Sequence, residues 1–284
     1  MAVFCPYCGW PAEFDFTFYE RSYYHCSHCD LIFRLSEVRA EEIRAYYRER
    51  YFDDHAQDQL SGARISIFRN ALRVIEKHLS PGFLLDVGCG IGQFLKEAKE
   101  RGWEVLGVDP SEKSIERAKA LVGDYVVLGT LDDVPEGRAF DCVTMINVLD
   151  HMVDGGRQLR KAYHRLKRGG LLYLRIPNGY LYANLRRWAA RNRHFNFLNR
   201  YLVFHEYVIT PLAIENCLRG YGYRDVTVRG DRLSFSDCRQ AFRVPPVLVD
   251  YTLKITFLWL KILERASRGR MVLSPSLYVV AWKK

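Results

Sequence analysis

Three sets of side chains in this 284-residue chain have the types and spacing for chemistry. Cys5, Cys8, Cys26 and Cys29 form a C-x2-C-x17-C-x2-C pattern. Each C-x2-C pair can turn two sulfurs onto one ion, and four thiolates leave no open coordination position, so the pattern predicts a structural zinc site. Disulfides or unrelated core thiols are the alternatives, and Cys89, Cys142, Cys217 and Cys238 read as small apolar fillers. The second set is Asp86-x-Gly88-x-Gly90-x-Gly92, with Asp109 following 21 residues beyond Gly88. Glycines let a backbone approach a ligand closely, and an acid ending the next strand can accept both hydroxyls of a ribose. A nucleoside-bearing cofactor is therefore expected. Position 93 is Gln, so the loop is not the G-x-G-x-x-G dinucleotide fingerprint. The third set is Asn147, Asp150 and His151 in N-V-L-D-H. Histidine has a reference pKa near neutrality, which makes His151 the general-base candidate, with Asp150 orienting it or holding an acceptor. The alternative is that His151 caps a helix or touches cofactor alone.

These groups can meet only if the elements between them share one frame. From residue 83 apolar runs alternate with helical periods, the pattern of a doubly wound α/β parallel sheet. FLLDVG (83–88) leads into the glycine loop, and EVLGVD (104–109) into a helix that Ser111 can cap. YVVLG (125–129), FDCVTMIN (140–147), a helix over 155–167, LLYLRIP (171–177), YRDVTVRG (223–230) and SLYVVAWK (276–283) follow. Ahead of this core, residues 1–36 read as a zinc ribbon with a hairpin around Phe14, Phe16 and Phe18. Its permanent cations, Arg21 and Arg34, sit among Glu13, Asp15, Glu20 and Asp30, which predicts packing or partner binding rather than a grip on nucleic acid. Residues 37–80 read as helical, with Tyr46, Tyr47, Tyr51 and Phe52 forming either a lid or a stripe packed on the sheet.

The segments LLDVGCGIGQFL, VLGVDPS, LGTLDDVP, FDCVTMINVLDHMVD, LKRGGLLYLRIPNG and HEYVITPLAIENCLRGYGY resemble the motifs of the class I S-adenosylmethionine-dependent methyltransferases, over roughly residues 40–230. The resemblance implies a Rossmann-like sheet of order 3-2-1-4-5-7-6 within 81–284, and S-adenosylmethionine as cofactor. It implies that Asp86 supports the cofactor amino group and that Gly88, Gly90 and Gly92 line its methionine moiety. Asp109 would hold the ribose, Thr130 and Leu131 would flank the adenine, and Asn147 would lie beside the cofactor. His205 stands where the family often has a histidine facing the acceptor; a structural hydrogen bond to the neighbouring loop is the alternative. Some relatives carry E-x-x-E-H and use a divalent ion. Asn147 and Asp150 occupy the two acid positions here, so a catalytic metal is not expected.

Composition bounds the rest. With 49% apolar and 26% charged residues the chain is not disordered. No charge-free run reaches membrane-spanning length and no basic leader precedes an apolar core, so a cytoplasmic protein is expected. The net charge of +9 is concentrated late: residues 179–284 hold 18 Lys/Arg against 7 Asp/Glu. Two insertions extend the minimal fold, 178–205 and 231–275, and both are expected to overhang the acceptor site. The first holds Arg186, Arg187, Arg191, Arg193 and Arg200 with no acid. In the second, 247–268 reads as a helix with a charged stripe (Asp250, Lys254, Lys261, Glu264, Arg265, Arg268) and a broad apolar face including Trp259. That face could cover the core, form a homodimer interface, or lie peripherally on the inner face of the membrane. The expected acceptor is an anionic small molecule, glycan or lipid-linked molecule methylated on oxygen. An RNA methyltransferase and a non-catalytic cofactor-binding scaffold are the alternatives.

Overall fold

The computed structural model describes residues 2–35, 40–60, 62, 64–191, 202, 204–231, 258–259, 262–263 and 272–284. Most of the insertion at 231–275 and of the expected helix at 247–268, together with Arg193 and Arg200, lies outside the described residues.

The N-terminal module contains β1 (Val3–Phe4), β2 (Pro11–Phe18), β3 (Arg21–His25) and β4 (Ile32–Arg34). The hairpin expected around Phe14, Phe16 and Phe18 is β2–β3. Its two turn residues, Tyr19 and Glu20, both have positive φ (45° and 63°), the requirement of a tight hairpin turn that follows the strand twist. Three helices follow: α1 (Ala40–Glu49), α2 (Tyr51–Leu60) and α3 (Ile65–Ile75).

The core alternates strand and helix: β5 (Phe83–Val87), α4 (Gln93–Lys99), β6 (Glu104–Asp109), α5 (Glu112–Val122), β7 (Val126–Leu128) and β8 (Phe140–Ile146). After a short 3-10 turn at Leu149–His151 come α6 (Gly155–Arg165), β9 (Leu166–Pro177), α7 (Gly179–Arg191), β10 (Tyr207–Val208), α8 (Pro211–Gly220), β11 (Arg224–Gly230) and β12 (Ser276–Trp282). Seven strands form one sheet in the order β11-β12-β9-β8-β5-β6-β7, which is 3-2-1-4-5-7-6 when counted from β5. The pairs from β7 through β9 are parallel, and β12 inserts antiparallel between β9 and β11. β8 is FDCVTMI, buried at every position but Asp141, as a central strand covered on both faces must be. Ser111 caps α5 by accepting from Ser114 N, and Thr210 caps α8 by accepting from Ala213 N ahead of Pro211.

The two sheet faces have different covers. On one, α3, α4 and α5 pack through Leu72, Leu95 and Ala118. On the other, α6 and α8 share a continuous core with Cys5, Tyr7, Cys26, Cys29, Leu31 and Phe33 of the N-terminal module. β10 pairs with β4, so the module's sheet runs β1-β2-β3-β4-β10 and takes its last strand from the methyltransferase-like core. The described part of the module, residues 2–35, is therefore packed into the core rather than tethered to it.

The first insertion departs from expectation. α7 lies against the N-terminal module, with Ala183 among Phe16, Phe18, Tyr23 and Phe204. Arg186 donates to the Thr17 carbonyl and Arg187 grips Asp15, its Nε at 3.0 Å. Those two arginines are engaged by the module's carbonyl and carboxylate, which an acid-free stretch of sequence could not reveal.

Candidate functional site

A cavity of about 570 Å³ opens beyond the carboxyl ends of β5, β6 and β8, where the strand order reverses. Its floor is the glycine loop. Gly88 has φ 75°, and a Cβ there would lie 2.4 Å from Val148 Cγ1, so only glycine keeps the loop flat against the β8 end. Gly88 and Gly90 line the cleft. Gly92, with φ 80°, starts α4 and presses towards Ala118, contributing to helix packing rather than to the lining of that cleft. Asp109 accepts from Gly90 N at 2.8 Å and from Ser111 N at 2.9 Å, stapling the loop to the β6 end. Burial raises its pKa against the pull of those two amides. Asp86 is buried beneath the loop and lines its smaller lobe; desolvation pushes its carboxyl up to about 7, partly countered by the Thr144 hydroxyl donating at 2.6 Å. Thr130 and Leu131 line the far end of the cavity, and Asn147 lines both lobes.

The opposite end is roofed by the helices ahead of the core. Tyr47 and Tyr51 line the cavity, whereas Phe52 packs under Arg117 on α5. Tyr47 Oη lies 2.8 Å from His151 Nδ1. His151 and His205 rings sit 3.8 Å apart, and each Nε2 is 3.8 Å from Asp150 Oδ2. Candidate side chains more than fifty positions apart are thus brought together, their ligand-type atoms all within 4.8 Å of one another. The Asp150 carboxylate is buried and accepts no hydrogen bond among the described residues. A buried carboxylate without a hydrogen-bond donor is costly, so a ligand group or cation beside it would be favoured.

Asn147 stands apart from that cluster. Its backbone is left-handed (φ 57°), its amide donates to the Arg175 carbonyl at 2.9 Å, and its side-chain oxygen accepts from Arg175 Nη1 at 2.7 Å. Arg175 is 1% exposed and also donates through Nε to Asp231 at 2.6 Å, while Asn70 of α3 donates to the same carboxylate. Sequence reasoning missed this network. The available signal was an arginine inside the apolar strand LLYLRIP, since a buried guanidinium requires a buried acid.

The four cysteines of the first set also converge. Cys5 and Cys29 sulfurs are 3.5 Å apart and Cys8 and Cys26 sulfurs 3.6 Å, with all four within 4.8 Å. Those separations exceed a disulfide bond and approach the edge, about 3.8 Å, of a tetrahedron with metal–sulfur bonds of about 2.3 Å. Each knuckle closes alike, Gly9 N bonding to Cys5 O and Asp30 N to Cys26 O, with Gly9 and Asp30 both at positive φ. The donor set and geometry fit a tetrahedral ion.

An open-cleft Rossmann-like sheet with a D-x-G-x-G loop and an acid ending the next strand is the class I methyltransferase arrangement. The chain belongs to the methyltransferase domain family, whose model matches residues 55–228. Among curated relatives, the ubiquinone biosynthesis O-methyltransferase of Sinorhizobium medicae is 29% identical over 154 residues, covering 49% of this chain and 58% of that protein. The protein of the same name from Rhodopseudomonas palustris is 28% identical over 181 residues, covering 58% and 70%. The chain thus spans between half and three quarters of these relatives' lengths. Solved structures share the fold. A methyltransferase from Archaeoglobus fulgidus has TM-score 0.54 at 20% identity, covering 83% of this chain and all of the other. Phosphoethanolamine N-methyltransferase 2 of Haemonchus contortus, solved with S-adenosylhomocysteine, has TM-score 0.53 at 18% identity, covering 89% and 62%.

Proposed function

We propose that this enzyme O-methylates an anionic small molecule, free or carried on a glycan or lipid, with His151 as the general base. The observation that carries the reading is the Tyr47–His151–His205–Asp150 cluster at the roofed end of the cofactor cavity. Methyl transfer from a sulfonium is an in-line displacement whose donor is already activated, so the protein mainly positions the acceptor and takes its proton. With Nδ1–H donated to Tyr47, His151 Nε2 holds a lone pair for that proton, and the imidazolium formed is met by Asp150. Burial raises the Tyr47 pKa, so its hydroxyl stays neutral through the working range.

Asp86, Gly88, Gly90, Asp109, Thr130, Leu131 and Asn147 are the residues we assign to S-adenosylmethionine. The anionic character of the acceptor is supported by Arg44 and Arg48 of α1, Arg64 and Arg157, all lining the same cavity. That role passes to them from Arg186 and Arg187. Zinc is proposed for Cys5, Cys8, Cys26 and Cys29. An RNA acceptor is disfavoured by the burial of the N-terminal module against the core. Among the described residues no helix is long and apolar enough to cross a membrane.

The test is transfer of labelled methyl from S-adenosylmethionine into fractionated lysate by the parent and His151→Gln proteins. Label in solvent-extractable or saccharide material that depends on His151 supports the reading. RNase-sensitive label overturns the acceptor class. Activity lost to EDTA and restored by magnesium would instead make the cluster a cation site.

A further inference from the structure

Residues 205–210 carry His205 to the acceptor side, and the N-terminal module supplies much of what fixes them, alongside core contacts such as the Gly179 amide donating to the Ile209 carbonyl at 3.0 Å. Tyr23 donates its hydroxyl to the His205 carbonyl at 3.2 Å. Arg34 N donates to the Glu206 carbonyl at 2.9 Å, and its guanidinium forks onto the Glu206 carboxylate, Nε at 3.2 Å. β4 and β10 pair through Phe33 with Tyr207 and Ile32 with Val208. Thr210 donates to the Asp30 carboxylate at 2.5 Å. The module also reaches the other half of the cluster. Tyr7, between the first two cysteines, fills the space over Gly155 and Gly156, where any Cβ would strike it or its neighbour Tyr221. Tyr207 in turn donates to the Val153 carbonyl at 2.5 Å, just past His151. An appended interaction module would need none of these contacts.

We propose that the N-terminal cysteine module is a wall of the acceptor site, with Arg34 and Tyr23 as positioning residues for His205. The proposal rests on reading His205 as an acceptor-side group. A bidentate guanidinium–carboxylate pair fixes direction as well as distance, which a lysine cannot copy. The tilted ring contact of His205 with His151, centroids 3.8 Å apart at 49°, then transmits that placement to the proposed base. Cofactor residues on the glycine loop lie on other elements, so the cysteine module is expected to govern acceptor geometry and leave cofactor affinity nearly unchanged.

The test uses histidine side-chain 1H–13C NMR on full-length labelled protein, with His205→Asn assigning the His205 resonance. Tyr23→Phe, Arg34→Lys and Arg34→Ala are compared with the parent, and S-adenosylhomocysteine affinity is measured by calorimetry. The proposal expects the His205 and His151 resonances to shift or broaden, most in Arg34→Ala, with cofactor Kd within about threefold of the parent. Resonances that superimpose on the parent's in folded Tyr23→Phe and Arg34→Lys proteins overturn it. Should Arg34→Ala fail to fold, those two milder variants decide. Methyl transfer that survives His205→Asn would defeat the acceptor-side reading separately, without moving the resonances on which the positioning role is judged.

Discussion

Replacing Asp86 by Asn isolates what one buried carboxylate contributes to cofactor binding. Desolvation raises the Asp86 pKa from 3.8 to about 7, with the Thr144 hydroxyl opposing and the nearby Asp109 charge adding to the rise. Its folded-state pKa is therefore above the unfolded value, and the cofactor-free protein binds a proton that the unfolded chain has released. Stability is full below about pH 4, falls as pH rises towards 7, and is flat above. About three units correspond to about 4 kcal/mol at pH 8, an upper bound for a site that can relax. Asn keeps the shape and still accepts from Thr144 but cannot ionise. Asp86→Asn should therefore match the parent near pH 4 and exceed it by up to ~4 kcal/mol at pH 8 in urea unfolding without cofactor. Binding should behave inversely. If ionised Asp86 meets the cofactor ammonium, S-adenosylhomocysteine affinity in the parent rises about tenfold per pH unit below 7 and levels above, whereas the Asn protein binds weakly with no such slope. A parent Kd that is flat from pH 5.5 to 8 would refute both the protonation state and the assignment of Asp86.

Three further outcomes follow from local geometry. Gly88→Ala places a Cβ 2.4 Å from Val148 Cγ1 at a positive φ; strain of about 1–3 kcal/mol should weaken cofactor binding roughly tenfold or more by calorimetry. Cys5→Ser removes one of four converging sulfurs, and should lower bound zinc by mass spectrometry and Tm by roughly 10 °C. Arg175→Met removes the guanidinium from buried Asp231 and should cost about 3–5 kcal/mol in urea, much of it recovered in Arg175→Met/Asp231→Leu. A double variant no more stable than the single would show that packing, not charge, sets the cost.

The parts legible in the sequence are those where one residue type answers one local demand. Strand boundaries followed from apolar runs broken by glycine turns, while the strand order came from the family resemblance; the seven strands of the large sheet fall within a few residues of the expected spans except β9, which begins earlier at Leu166, and β10 was not expected at all. The place of Asp109, at the end of β6 beside the glycine loop, was legible because an acid ending a strand there stands out in the sequence. That Gly92 caps α4 rather than lining the cleft was not, because a glycine freed by φ and one freed for a ligand look the same in sequence. His151 and His205 carried no mark of their proximity: it depends on β10 joining a sheet formed more than 170 residues earlier. The arginines of α7 misled for a related reason. Their partners, Asp15 and the Thr17 carbonyl, lie in a strand whose pairing with that helix no periodicity encodes.

The distribution of unsatisfied polar atoms points the same way as the cluster geometry. Buried groups without a partner are costly, so a fold concentrates them where binding or catalysis repays the cost. Among the described residues they are Tyr7 Oη, both Asp150 oxygens, Gln158 Oε1, Tyr173 Oη, Arg186 Nε and Ser274 Oγ, and the first four of these atoms gather about the start of α6. Asp150 belongs to the turn before α6, Gln158 to its first turns, and Tyr7 rests on the glycines that begin it. Glycine at 155 and 156 makes this possible, since a Cβ at 155 would strike Tyr7 and one at 156 its neighbour Tyr221. By contrast the cofactor side satisfies Asp109 twice and Asp86 once. A cofactor of fixed structure can be met by a preorganised set of donors and acceptors, whereas the acceptor end retains buried carboxylate and hydroxyl capacity beside two histidines. That asymmetry is what the proposed division of the cavity requires, with the acceptor end under the N-terminal module and the cofactor end on the glycine loop.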